Sequence, residues 1–275
     1  MINRFFLLII LIFVFLVIQY IWKKRKDYCD ANENRIKMDV SEVLPGINYK
    51  MIPENTIHYL FWTGGYDSTF RLCQILLMLD RPVQPIYIMC GKVDNPNGTG
   101  RNNLKMELDK MKTIRDLIIK NNPHLAIKFM PTHYVVSIQK DKKITSKFKK
   151  LHKQLGYFSR SINQYERTAR YSYYHKYPIE IGLDNCGTGL DEATQKFREG
   201  YGTDCKIIDN LPLTHINLEI FKNIRFPIAH LTKKEMKMIA LQNNFYYILK
   251  ESWSCWFPKF GQPCGLCEMC KQRII

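Results

Sequence analysis

Apolar positions along the chain fall into two regimes. Residues 5–22, FFLLIILIFVFLVIQYIW, run 18 positions without a charge, enough to span roughly 27 Å as a helix, about one bilayer core. From residue 57 onward, short apolar runs alternate with helically spaced ones. IHYLFW (57–62), VQPIYIMC (83–90), AIKFM (126–130), IEIGL (179–183) and IRFPI (224–228) predict strands. Between and after them, residues 69–79, 101–121, 160–175 and 233–243 predict helices. Within 101–121, for example, Leu104, Leu108, Met111, Ile114 and Leu117 recur at helical spacing. Strands separated by helices of this length predict an α/β fold, a parallel sheet covered on both faces.

Three segments follow from the same pattern. Residues 1–26 read as a transmembrane anchor with a basic flank, because Arg4 alone precedes the apolar run and KKRK (23–26) follows it. A cleaved signal would carry its positive charges first and small residues after. The positive-inside rule then leaves the rest of the chain on the cytoplasmic face of a single-pass membrane protein. The competing readings are a buried core helix and a signal peptide with an unusual cleavage site. Residues 27–55, mostly polar with two prolines, read as a linker, and residues 56–275 as the globular domain. No internal repeat or low-complexity tract interrupts them.

Charge sharpens this picture in one place. The net charge of +16 is unevenly spread, and residues 137–176 hold eleven Lys or Arg against Asp141 and Glu166. Such a stretch favours polyanions, either nucleic acid or the anionic leaflet beside the anchor. Between Lys140 and Lys176 the cations are interleaved with Phe148, Tyr157, Phe158, Tyr165, Tyr171, Tyr173 and Tyr174, a pattern suited to phosphate contact plus base stacking. The alternative is a solvated basic helix whose aromatics face the core.

Between the first strand and the first helix lies TGGYDST, Thr63 to Thr69. Such a turn in an open α/β sheet is where ligands bind. Gly64 and Gly65, followed by Tyr66 in the same loop, let backbone amides approach oxygen atoms closely, and the start of the following helix offers unpaired N–H groups. Thr63, Ser68 and Thr69 add hydroxyls, while Asp67 could hold a Mg2+ ion bridging to phosphates. The spacing and lysine of the Walker loop are absent, as is the dinucleotide fingerprint. A plain turn capped by Asp67 or Ser68 is the competing reading.

The tail supplies a second chemistry. Cys255, Cys264, Cys267 and Cys270 fall within SWSCWFPKFGQPCGLCEMCKQR. Three of them recur every third residue, and the loop to Cys255 is long enough to double back. Four thiolates without an open position describe structural Zn2+, carried by residues 250–275. A C-x-x-C redox pair and simple disulfides compete, the second against the reducing compartment inferred above. Cys73 and Cys90 fall in apolar elements and read as core.

The order strand, [ST]-G-G-x-D-S, helix resembles the PP-loop of the ATP pyrophosphatases, with Thr63 where that family usually has Ser. Combined with the tail, the chain resembles the 7-cyano-7-deazaguanine synthases of queuosine biosynthesis. Their Pro and L-T-K-x-E are matched by Pro227 and by Leu231, Thr232, Lys233 and Glu235; Thr232 and Glu235 also spell a capping box. T-W-S-C-Y is matched by Ser252, Trp253, Ser254, Cys255 and Trp256, and C-G-x-C-x-x-C-x-x-R by Cys264, Gly265, Cys267, Cys270 and Arg273. The resemblance is clear over 57–80 and 223–273. The family's Y-G-Q is replaced by Cys90, Gly91 and Lys92, and its Y-P-D-C-R has only a loose echo in residues 201–206.

The resemblance implies a Rossmann-like PP-loop domain with a zinc knuckle. It also implies an ATP-dependent ligase making 7-cyano-7-deazaguanine from 7-carboxy-7-deazaguanine and ammonia. Under it, Gly64, Gly65, Asp67 and Ser68 grip the nucleotide, Asp67, Ser68 and Lys233 act in catalysis, and Lys233 neutralises phosphate charge. Two other readings stand beside it: a PP-loop enzyme adenylating a base within tRNA, and a non-catalytic, membrane-tethered zinc module that binds nucleic acid. A homo-oligomer is compatible with all three.

Overall fold

Five strands form one all-parallel sheet in the computed structural model, which describes residues 17, 19–20, 42, 47–89, 103–135, 138, 141–153, 164–175, 178–184 and 219–271. They are β1 (His58–Phe61), β2 (Val83–Ile88), β3 (His133–Val135), β4 (Ile179–Ile181) and β5 (Ile224–Arg225), in the order β3-β2-β1-β4-β5. Phe61 lies opposite Ile86 on one side and Ile181 on the other. The helices are α1 (Tyr66–Cys73), prolonged by a π turn at Gln74–Met78, α2 (Leu104–Asn121), α3 (Lys142–Lys153) and α4 (Gln164–His175). After the last strand come α5 (Lys233–Gln242), α6 (Tyr246–Lys250) and α7 (Glu268–Lys271).

Alternation in β1 explains why the sheet is covered twice. Leu60 and Trp62 point into one core with Phe70, Met111, Met236 and Ile248, drawn from α1, α2, α5 and α6. Phe61 points into the other with Phe148, Ala169 and Tyr171 from α3 and α4. Period-2 side chains on a strand buried on both faces give a continuous apolar run, the pattern that predicted it. The chain runs outward from β1 through β2 to β3, then returns to set β4 against the free side of β1. The carboxyl ends of β1 and β4 are therefore the switch point where such sheets bind ligands.

Gly182, just past β4, shows how closely the two sides approach there. A Cβ on it would lie 2.7 Å from the Ser68 backbone nitrogen and 2.8 Å from the Asp67 carbonyl carbon. Backbone cannot yield as a side-chain tip can, so Gly182→Ala is expected to destabilise the fold by about 1–3 kcal/mol, read as a lowered urea midpoint. Further down the same interface, Glu180 of β4 accepts from Arg71 Nε (2.7 Å) and Nη2 (3.2 Å) and faces His58 Nδ1 at 2.8 Å. Burial alone would raise the Glu180 carboxyl, but the hydrogen bonds from His58 and Arg71 outweigh it and hold it below its usual range. This buried cluster fastens α1 to β4.

One predicted strand is corrected. Residues 126–130 do not form a strand: Pro123–Ala126 is a 3-10 turn, and the Phe129 amide bonds back to the Leu125 carbonyl at 2.8 Å. Leu125 and Phe129 thus bury together from one helical turn, leaving Phe129 a single bridge to Val83. Pro131, which lacks an N–H, separates this turn from the actual third strand, β3. The helix α3 is an element that the charge-rich pattern of its sequence concealed. Glu42, within the stretch read as linker, is fastened to the domain by Arg115 (2.6 Å), the Thr132 amide (2.9 Å) and the Tyr134 hydroxyl (2.5 Å).

Among the described residues no helix is long and apolar enough to cross a membrane. The segment 5–22 lies outside them except for Val17, Gln19 and Tyr20, which are helical. Residues 185–218, with the loose echo at 201–206, and Cys90 to Lys92 also lie outside.

Candidate functional site

The glycine loop leaves β1 at Trp62 and turns at Gly64, whose φ of +68° is the left-handed conformation that a side chain resists. A Cβ there would also press on Met111 Cγ at 3.2 Å. Gly65 then caps α1 without any side-chain hydrogen bond, so neither Asp67 nor Ser68 is the N-cap; both sit in the first turn. Ser68 Oγ donates to the Gly65 carbonyl (3.3 Å) and lies 3.4 Å from the Thr63 amide that donates to it. These bonds fix the loop over the helix start, where the dipole favours anions. Thr69 is turned away: it is fully buried, and its Oγ1 accepts from the Trp62 indole at 3.1 Å. Tyr66 is buried against the core, its ring centroid 5.9 Å from Lys233 Nζ.

Across the mouth of the loop, Lys233 Nζ donates to Asp67 Oδ1 at 2.6 Å and to Asp184 Oδ2 at 2.9 Å. Lys233 opens α5, which the capping box predicted from Thr232 and Glu235 initiates: the Glu235 amide reaches Thr232 Oγ1 (3.2 Å), and Glu235 Oε2 takes the Thr232 amide (2.7 Å). The lysine is thus aimed inward rather than left in solvent. Burial pushes the Asp67 carboxyl up, to about 6, against the pull of Lys233. Burial draws the Lys233 ammonium down, but Asp67 and Asp184 outweigh it and hold its pKa above the usual lysine value. Two carboxylates against one ammonium leave a negative surplus that suits a divalent cation. Sequence reasoning missed Asp184; its one signal was an acid directly beyond a strand at the switch point.

The four cysteines meet at one place. Their Sγ atoms lie within 4.8 Å of one another, with separations of 3.5 Å (Cys267–Cys270), 3.9 Å (Cys264–Cys270) and 4.0 Å (Cys267–Cys255). A tetrahedron of Zn–S bonds has edges of about 3.8 Å, so the set fits zinc, whereas a disulfide needs about 2.05 Å. The amides of Cys264 and Cys267 donate to Cys255 Sγ (3.2 Å) and Cys264 Sγ (3.4 Å), the pattern that stabilises thiolates. Amides of Leu266 and Cys267 draw the Cys264 thiol down to about 6.

Loop and cysteine cluster are joined directly. The Trp253 amide donates to the Gly64 carbonyl at 2.8 Å, and the Trp253 indole donates to the Cys255 carbonyl at 2.8 Å. The two motifs, 186 residues apart between Thr69 and Cys255, thus share one structural unit. This backbone contact has no signature in sequence.

On α3 the basic stretch is a solvated face, whereas Arg170 of α4 is buried and donates to Glu166 at 2.7 Å. Lys142, Lys143, Lys147, Lys149, Lys150 and Lys153 of α3 are exposed, whereas Phe148 and Tyr171 are buried in the core. Tyr173 is exposed, and Tyr157 and Phe158 lie outside the described residues. Cys73 is fully buried, as expected of a core thiol.

No curated protein matches the chain significantly. Residues 209–274 match the family model described as "Queuosine biosynthesis protein QueC", a segment that holds Lys233 and all four clustered cysteines but not the glycine loop. Over that C-terminal part, the chain is similar to the QueC-type proteins of queuosine biosynthesis.

Proposed function

We propose that the protein is an ATP-dependent ligase converting 7-carboxy-7-deazaguanine and ammonia into 7-cyano-7-deazaguanine. The observation that carries this reading is the convergence of Asp67, Lys233 and Asp184 over the glycine loop at the switch point of the sheet. A carboxylate is a poor electrophile, because expelling oxide is prohibitive. Transfer of AMP from ATP to the carboxylate oxygen releases pyrophosphate and creates a leaving group; ammonia displaces AMP to give the amide. A second adenylation of the amide oxygen lets AMP depart as the C–N triple bond forms.

In this reading the protein mainly positions and stabilises charge. The amides around Gly64 and Gly65 and the start of α1 hold the phosphates. Lys233, drawn from its carboxylates, neutralises the departing pyrophosphate. Asp67 and Asp184 would hold Mg2+, which supplies charge neutralisation at the phosphates. The sulfur cluster would hold Zn2+ and brace the loop through Trp253. The domain would be kept at the cytoplasmic face of a membrane by residues 1–26, in which case carbonate extraction leaves the protein in the membrane fraction.

Incubation with ATP, magnesium, ammonium and 7-carboxy-7-deazaguanine, read by mass spectrometry, is expected to yield the nitrile, AMP and pyrophosphate. Absence of any pyrophosphate above background removes the enzymatic reading. Cleavage of ATP only with a different acid would redirect the substrate.

The pH dependence follows from Asp67. Its folded pKa of about 6 exceeds the ordinary 3.8, so the folded, ligand-free protein holds this proton more tightly than the unfolded chain. That contribution to stability is full below about pH 4 and is lost as pH rises through about 6. Cation binding needs the ionised form and runs the other way. Magnesium-dependent nucleotide affinity is therefore expected to fall several-fold from about pH 7.5 to about pH 5, measured by calorimetry. A flat profile over that range would exclude Asp67 as a ligand.

A further inference from the structure

Between Cys255 and Cys264 the chain forms a projection that the proposed chemistry does not use. Lys259 and Gln262 exchange backbone hydrogen bonds, Lys259 N–H to Gln262 C=O at 3.0 Å and the reverse at 2.9 Å. They close a two-residue hairpin with Phe260 and Gly261 at its tip. Both tip residues have positive φ, +49° and +76°, the type I′ pattern, whose first central position favours Asn, Asp or Gly. A phenylalanine there carries backbone strain and gains no packing in return. Phe260 is 104% exposed, and the space beside Gly261 is open.

The surroundings extend the same character. Phe257 and Leu266 are 43% and 72% exposed. Residues 252–267 contain one Lys, Lys259, and no Arg, Asp or Glu; Glu251 and Glu268 flank them, and Lys271 is exposed on α7. An apolar tip with few charges beside it is the composition that enters the headgroup layer of a bilayer. The chain's own sequence offers such a surface, through the uncharged run 5–22 and the KKRK that follows it. A second copy of the chain fits less well. The three side chains expose on the order of 400 Å², taking about 200 Å² for a fully exposed aromatic, half of the ~800 Å² per partner in a stable interface.

We propose that Phe260, with Phe257 and Leu266, is a shallow membrane-insertion tip built on the cysteine knuckle, seating it in the interfacial layer of a bilayer leaflet. This contact is additional to the N-terminal segment and independent of the reaction proposed above. The knuckle gives the tip a rigid base, since Cys255 and Cys264 flank it and belong to one cluster.

The test uses the full-length protein reconstituted into phosphatidylcholine vesicles with and without phosphatidylserine. Wild type, Phe260→Trp and Phe260→Asn are compared, and flotation establishes that each is vesicle-bound. The added emission of Phe260→Trp is expected to be blue-shifted and quenched several-fold more by headgroup-proximal than by deep nitroxide lipids, with or without phosphatidylserine. Phe260→Asn should keep its metal and fold at least as well, because Asn-Gly is the favoured turn pair. It should nonetheless lose most of the hydrogen-exchange protection that vesicles confer on residues 257–266. Three results overturn the proposal: floated protein whose added tryptophan emits as in water and escapes every nitroxide lipid; protein that does not float; and a blue shift that tracks protein concentration without lipid, which would identify a second copy as the occupant.

Discussion

Asp67→Asn is expected to abolish magnesium-dependent release of pyrophosphate from ATP while leaving the metal content of the cysteine cluster unchanged. The substitution keeps the shape of the side chain and one acceptor oxygen, but removes the charge that faces Lys233 at 2.6 Å. Lys233 keeps Asp184 as a partner at 2.9 Å, so the fold loses little. A cation shared by both carboxylates loses half of its anionic support, and the lysine is biased toward Asp184 and away from phosphate. Removing one preorganised electrostatic group from a site of this kind costs about 10²–10³ in kcat. Pyrophosphate release in Asp67→Asn within threefold of wild type would mean that the glycine loop serves some purpose other than nucleotide cleavage.

Loss of the cysteine cluster should be the more damaging change, because it strikes stability and nucleotide binding together. Binding free energies of structural zinc are about 10 kcal/mol or more, and that energy is folding energy. Cys267 has neighbours at 3.5 Å and 4.0 Å in the cluster, so Cys267→Ser or exhaustive chelation removes a central ligand. The segment from Ser252 onward would then loosen, and with it the Trp253 amide bond to the Gly64 carbonyl. Expected results are loss of bound metal, a melting temperature lower by about 10 °C or more, and loss of ATP affinity. The contrast with Asp67→Asn is diagnostic: one variant keeps its metal, the other loses both properties. A metal-free protein that melts and binds ATP like the wild type would show that knuckle and loop are not coupled.

Much of this architecture can be read from residue order. The alternation of short apolar runs and helical spacing locates β1, β2, β4, α2 and α5, because each element must bury a face and its period records which. The glycine loop and the cysteine spacing are legible for a similar reason: positive φ and metal geometry tolerate few residue types. What stays hidden is whatever depends on meetings across the fold. Asp184 is an ordinary acid until β4 lies beside β1 and brings it to Lys233. Gly182 gains meaning only from the backbone of Asp67 and Ser68 pressed against it. The apolar run at 126–130 misleads because its burial comes from Leu125 and Phe129 on one helical turn, a period that five residues are too few to reveal.

The docking of Glu42 sets a leash length. Arg115, Thr132 and Tyr134 grip its carboxylate, so only the 15 residues from 27 to 41 separate that clasp from the basic cluster at 23–26. Fully stretched, they reach at most about 55 Å. Under the proposed anchoring by residues 1–26, the catalytic candidate works inside a shell of that depth at the membrane surface. An enzyme delivering to or receiving from it would gain more by sharing that surface than by binding it tightly in solution, since confinement alone supplies effective concentration.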